Sequence, residues 1–294
     1  MENNKVNLLN EKNVSGFSFF FMITVYVFIS FFGQLLAGVL FSGTAYLVVC
    51  STFSSLAMAV VLAVLIIKRE EKVFSCLKIK TFKFKYLVLS VAISFGMLFG
   101  LGFINDAVIK LFNKIGISVS DVFIPLSSPL HLIVFSIVLA FIPAVFEECF
   151  FRGFMLGKLE GVKSVFAILS VSVCFALYHK SVAQFLYQVI YGALLCLLFK
   201  RSGSVIPCMV AHFLNNFSVL CFEYFKISID LYNPLLIAVG LVVLVITTSL
   251  LVFNECKENR GKEKKGQIRD FWLPFALFGA VICFVFIVGN LFGV

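Results

Sequence analysis

Charge is what this sequence has least of. Asp, Glu, Lys and Arg make up 13% of its 294 residues, against 61% apolar residues. Soluble globular domains run near about a quarter charged and about half apolar, so a water-soluble fold is excluded. Paired cysteine motifs are missing as well. The nine cysteines, Cys50, Cys76, Cys149, Cys174, Cys196, Cys208, Cys221, Cys256 and Cys283, contain no C-x-x-C spacing. That removes zinc knuckles, dithiol redox sites and a disulfide framework, and the thiols read as small buried hydrophobes. A cleaved leader is not expected, because the first apolar run, 16–41, is too long for a signal-peptide core and no small-residue cleavage site follows it. Neither an internal repeat nor a second soluble domain is visible, and histidine is down to three residues.

What the chain does have is length in apolar runs. Stretches able to cross a bilayer, about 20 residues each, fall at 16–41, 44–67, 86–112, 130–156, 205–225, 234–253 and 271–292. The stretch 165–199 holds two shorter ones, broken around 179–183. The expected fold is therefore all-α, a polytopic membrane helix bundle of about eight to nine transmembrane helices. A cytoplasmic tail, 1–15, would precede a single transmembrane domain, 16–294. The net charge of +9 lies in short loops. With nine spans and a cytoplasmic N-terminus, 19 of the 24 Lys and Arg fall in the inner segments 1–15, 68–85, 157–164, 200–204 and 254–270. Four lie outside (Lys110, Lys114, Lys180, Lys226), and Arg152 lies within a span. This bias is the positive-inside signature of membrane orientation, and nucleic-acid binding is not supported. The expected placement is the cell membrane, N-terminus cytoplasmic and C-terminus external. The basic segments 68–85 and 254–270 read as solvated linkers.

Against that background the ionisable residues left in the spans stand out. Asp, Lys or Arg at the centre of a spanning helix costs about 2.5–3.5 kcal/mol, so such groups face the protein interior, pair with one another, and mark function. Here they are Glu147 and Glu148 in the fourth span, His179 at the end of the fifth and His212 in the seventh. Glu148 and Arg152 stand i,i+4 and share a face in the favourable order, while Glu147 points about 100° away. Arg152 stays protonated and should hold Glu148 ionised, leaving Glu147 for proton chemistry. His212 and Asn216 are again i,i+4, with Asn215 a less certain neighbour, and Phe175 walls His179 one turn below. Acids, imidazoles and an amide on three helices suffice for general base, general acid and oxyanion stabilisation. Gln184, Gln188 and Tyr191 share a face of the sixth span and read as interhelical hydrogen-bonding groups. Asp106 and Lys110 read as an interfacial pair, and Pro143 as a kink ahead of the acids.

The three clusters, "EECFFR" (147–152), "FALYH" (175–179) and "HFLNN" (212–216), spell EExxxR, FxxxH and HxxxN in order. They resemble the motifs of the CAAX-protease and bacteriocin-processing family of intramembrane proteases, the CPBP or Abi family. The resemblance runs from about Pro143 to Phe217 and places a protease core at about 130–225. It implies hydrolysis of a peptide bond in a membrane-associated protein or small peptide. Glu147 and His179 would activate a water, His212 and Asn216 would stabilise the oxyanion, and Glu148 and Arg152 would hold the site together. The family is described both as metalloproteases and as metal-independent glutamate proteases. The expectation is a carboxylate mechanism without a required metal. If a divalent metal such as zinc is bound, Glu147, Glu148, His179 and His212 are its candidate ligands. The implied partners are the lipid bilayer and a peptide or membrane-anchored protein substrate. Two rival readings are a non-catalytic scaffold of the same fold, regulating a membrane partner such as a sensor kinase, and a proton-coupled transporter using Glu147 and Glu148. The transporter reading lacks the inverted repeat common in such folds.

Overall fold

The computed structural model describes residues 2–69, 72–119, 124–160, 162–253, 268, 271–272 and 276–292. The predicted connector 254–270 lies outside the described residues apart from Ile268. Among the described residues twelve α-helices follow one another: α1 Glu2–Leu40, α2 Gly43–Arg69, α3 Val73–Cys76, α4 Lys85–Leu101, α5 Phe103–Lys114, α6 Pro129–Phe135, α7 Ile142–Glu148, α8 Ser164–Tyr178, α9 Val182–Ser202, α10 Ile206–Tyr224, α11 Pro234–Phe253 and α12 Leu277–Phe292. Two π-helical segments, Ser136–Phe141 and Cys149–Leu156, flank α7. No strand occurs among the described residues, so the chain is a polytopic helical bundle. The segment 1–15, expected as a tail, is helical from Glu2 onward, and α1 runs through it without a break.

Every predicted span coincides with helix, but not all are long enough to cross unaided. Six stretches are, by length and composition: Asn13–Leu40, Gly43–Lys68, Lys85–Lys114, Pro129–Leu156, Val182–Ser202 and Pro234–Val252. Ser164–Tyr178 and Leu277–Leu291 are shorter apolar helices. A 15-residue helix such as α8 rises only about 22 Å, short of the roughly 30 Å hydrocarbon layer. The expected eight to nine spans are thus met by six full-length stretches, the 19-residue α10 and the shorter apolar α8 and α12.

Local chemistry sets the helix ends. Pro129 opens α6 behind Ser128, whose hydroxyl accepts from His131 N at 3.2 Å. The predicted break near 179–183 is present. The chain turns at Lys180 with φ +51°, and Ser181 Oγ then accepts from Gln184 N to start α9. Gly203, at φ +70°, closes α9 in the left-handed form that glycine adopts without strain.

Four of the five predicted inner segments meet at one end of the bundle. Lys80 N donates to Ser204 Oγ at 3.3 Å and Ser204 Oγ donates to Lys80 O at 2.7 Å. Val205 N reaches Lys78 O, Lys78 pairs with Glu160 at 3.6 Å, and Lys200 Nζ donates to Ser164 Oγ. Ser15 Oγ closes onto Met155 O at 3.0 Å. At the opposite end Asn290 Nδ2 donates to Lys180 O, and Lys110 pairs with Asp106 at 2.7 Å as expected. Sequence-distant basic loops thus share one end, the arrangement an alternating set of crossings produces.

Packing places the acid-bearing stretch at the centre. Phe150, Phe151, Phe154, Phe175, Tyr191 and Leu195 form part of one buried cluster, whereas Phe28, Leu35, Val39, Val245 and Phe284 project outward as lipid-facing surface does. Helices α4 and α11 touch backbone to backbone. A Cβ on Gly100 would lie 2.8 Å from Gly240 C, and one on Gly240 would meet Gly100 N. Small residues at such crossings are how apolar helices pack when lipid is as apolar as leucine.

Candidate active site

The site grows from α7. Pro143 stands in its first turn, between the two π segments. Proline has no N–H to give, and in the π segment just before it the carbonyl of Leu139 accepts from Asn216 Nδ2 at 3.1 Å. Wide π turns beside a functional cluster are a recurring device, and here they bracket the two acids.

Glu148 and Arg152 pair as their spacing predicts. Arg152 Nη1 donates to Glu148 Oε1 at 2.7 Å, with both side chains at 0% exposure. The guanidinium also donates through Nη2 to Gly192 O at 3.3 Å and lies 4.3 Å from the Phe175 ring centroid. A buried charge survives only when paired and hydrogen-bonded, and this pair is both. Glu148 Oε1 accepts a second bond, from His212 Nδ1 at 2.8 Å. One carboxylate therefore links α7, the following π segment and α10.

The two histidines are oriented alike. His179 Nδ1 lies 2.8 Å from Phe175 O. A carbonyl only accepts, so Nδ1 carries the proton and Nε2 of the neutral ring keeps its lone pair. His212 Nδ1 faces a carboxylate and by the same logic donates, leaving its Nε2 bare. Both Nε2 atoms stand 3.9 Å from Glu147 Oε2. That oxygen is buried and has no hydrogen-bond partner among the described residues. Three acceptors thus converge with nothing donated between them, which calls for a proton, a water or a cation. Aromatic rings close the walls. Phe175 packs edge-on against His179 (4.7 Å) and His212 (5.9 Å), and Tyr191 packs against His212 at 6.2 Å. His179 is the most exposed of the four ionisable groups, at 17%.

The structure thus brings Glu147, Glu148, Arg152, His179 and His212 together. Asn216 stands one turn beyond His212 on α10, tied to Leu139 O. The Tyr191 ring packs against His212, and Gln188 Oε1 has no partner among the described residues. One group escaped notice in the sequence, Tyr187, and Asn215 was read there only as a less certain neighbour of His212. Tyr187 Oη donates to Asn215 Oδ1 at 2.8 Å, and Asn215 Nδ2 donates to Asn216 Oδ1 at 3.4 Å. The adjacent Asn pair was the only available signal, and nothing in the sequence pointed to the tyrosine. His131 bonds with Ser127 Oγ at 3.0 Å.

Two Nε2 donors and a carboxylate oxygen, with each ring anchored through Nδ1, match zinc in kind. Tetrahedral ligands at about 2.1 Å stand about 3.4 Å apart, closer than the 3.9 Å seen here. As placed, no three such donors among the described residues are set to hold an ion. Glu148 lies behind the His212 ring, on the Nδ1 side, so it drops out of the candidate ligand set.

Comparison with known proteins adds an independent finding. Residues 129–218 match the family model described as type II CAAX prenyl endopeptidase Rce1-like. No curated protein and no solved structure matches the chain. The matched segment starts at α6, contains all three motifs and ends just past Asn216, and at family level it supports a CAAX-type protease embedded in the membrane. The segment that builds this acid–imidazole cluster is therefore the part of the chain that resembles the Rce1-like, CAAX-protease family.

Proposed function

We propose that the chain is an intramembrane endopeptidase that hydrolyses a peptide bond in a membrane-associated protein or small peptide, using a water activated by Glu147. One observation carries this reading: Glu147 Oε2 faces two bare Nε2 atoms at equal distance. A water seated among the three donates its protons to Glu147 and to one imidazole, so its lone pair is free for a carbonyl carbon. Attack forms the O–C bond and passes one proton to Glu147, the general base. The tetrahedral intermediate carries its charge on the former carbonyl oxygen. Asn216 uses one Nδ2 hydrogen on Leu139 O and keeps the other for that oxyanion. His212 joins it only when doubly protonated, since its neutral form has no hydrogen at Nε2. Collapse breaks the C–N bond, and Glu147 returns the proton to the leaving amine. Arg152 and Glu148 touch no reacting atom and fix His212. No step is routed through a metal, because the donor spacing does not fit one.

The test uses purified full-length protein in proteoliposomes with two quenched fluorescent peptides, one a farnesylated CAAX peptide and one an unmodified leader-type peptide. Cleavage of either is expected, with a loss of about 10²–10⁴-fold in Glu147→Ala and in His179→Ala. Cleavage that survives both substitutions sinks the proposal, and a biological effect retained in both favours the scaffold. A chelator is expected to leave the rate unchanged.

A further inference from the structure

We infer that Tyr187 and Asn215 are positioning residues, which align the Asn216 amide through a one-directional hydrogen-bond chain ending at the Leu139 carbonyl. The inference rests on the peptidase reading above. The chain starts on α9, where the buried Tyr187 hydroxyl donates to Asn215 Oδ1 at 2.8 Å. It passes along α10 as Asn215 Nδ2 donates to Asn216 Oδ1 at 3.4 Å, and crosses to the π segment before α7 as Asn216 Nδ2 donates to Leu139 O at 3.1 Å.

The polarity of this chain is fixed at its Leu139 end and passed back through the two amides to the Tyr187 hydroxyl, which serves as donor. Leu139 O accepts only, so it selects the nitrogen side of the Asn216 amide. Asn215 Nδ2 donates only, so it selects the oxygen side. A flipped Asn216 would set oxygen against oxygen at one end and N–H against N–H at the other. The second Nδ2 hydrogen therefore has one defined direction. Accepting a bond at Oδ1 also polarises the N–H groups of the same amide. Pro143 lies one turn beyond Leu139, at the junction of the π segment with α7, and brings no N–H of its own to that junction. Tyr187 and Asn215 are both buried, so water does not readily replace a missing member.

Steady-state cleavage of the farnesylated quenched CAAX peptide by the full-length protein tests this. Tyr187→Phe and Asn215→Leu should each lower kcat about tenfold, well short of the about 10²–10³-fold lost with an oxyanion donor itself, while KM stays within about twofold. The double variant should lose no more than either single one. In an Asn216→Ala background neither substitution should lower kcat further. Losses that multiply, or that persist without Asn216, would show that the two residues only support the fold and would overturn the inference. So would an unchanged kcat in both single variants. Failure of the wild-type protein to cleave removes the peptidase reading and this inference together, whereas wild-type cleavage with indifferent variants removes this inference alone.

Discussion

At the scale of single residues, the buried ion pair makes the firmest demand. Glu148 and Arg152 are both at 0% exposure, so removing one strands the other without water. Arg152→Met should destabilise the protein by about 3–5 kcal/mol and free His212 from its fixed orientation. Thermal unfolding in detergent would register the first effect and loss of peptide cleavage the second. An unchanged melting temperature would mean that water reaches Glu148. This pair was legible in the sequence because i,i+4 spacing is a property of one helix. The singling out of Glu147 followed from the same geometry. The bonds from Glu148 to His212 and from Asn215 to Tyr187 were not legible, since they join residues 64 and 28 positions apart whose rotation about their helix axes only packing decides.

At the scale of elements, composition located the helices while the details of their backbones stayed hidden. The break between α8 and α9 shows in the polar "YHKS" interruption. The π segments around α7 leave no such trace, because one extra residue per turn changes no residue type and too few turns are involved to alter a periodicity. Pro143 was visible, but its effect on Leu139 O depends on what α10 presents opposite. Pro143→Ala returns an N–H to that turn, which draws the junction toward regular helix and shifts the Leu139 carbonyl that Asn216 holds. Expected are a higher melting temperature and a lower kcat, read by thermal unfolding and peptide cleavage. A higher melting temperature with full kcat would make the Asn216 bond incidental. The seam between α4 and α11 gives a second test. Gly240→Leu sets a side chain against the Gly100 backbone and should cost about 1–3 kcal/mol or more by overpacking. Gly38→Leu, on an open face of α1, should cost far less. Equal melting temperatures for the two variants would show that the seam is loose.

At the scale of the whole molecule, the charge bias foretold that remote basic loops would share one end, and the contacts among residues 78–80, 160, 164 and 204 agree. The expected spans are met among the described residues, with α8 the apolar helix that falls short of a full crossing. Opposite sidedness of the termini is an expected outcome of nine crossings. Epitope tags at residue 1 and residue 294 should differ in intact cells, the first protected from external protease and the second digested, whereas like behaviour would require an even number of crossings. The knitted end also bears on assembly. Lys80 waits for a partner 124 residues downstream, and Ser15 for one 140 residues away. At about 5–20 residues per second of synthesis, the first hairpin sits in the bilayer for about 6–25 seconds before Ser204 exists to latch it. A nascent chain halted short of Ser204 would thus hold inserted helices whose Lys80 strap is still open, and this latch marks the point at which insertion becomes a finished fold.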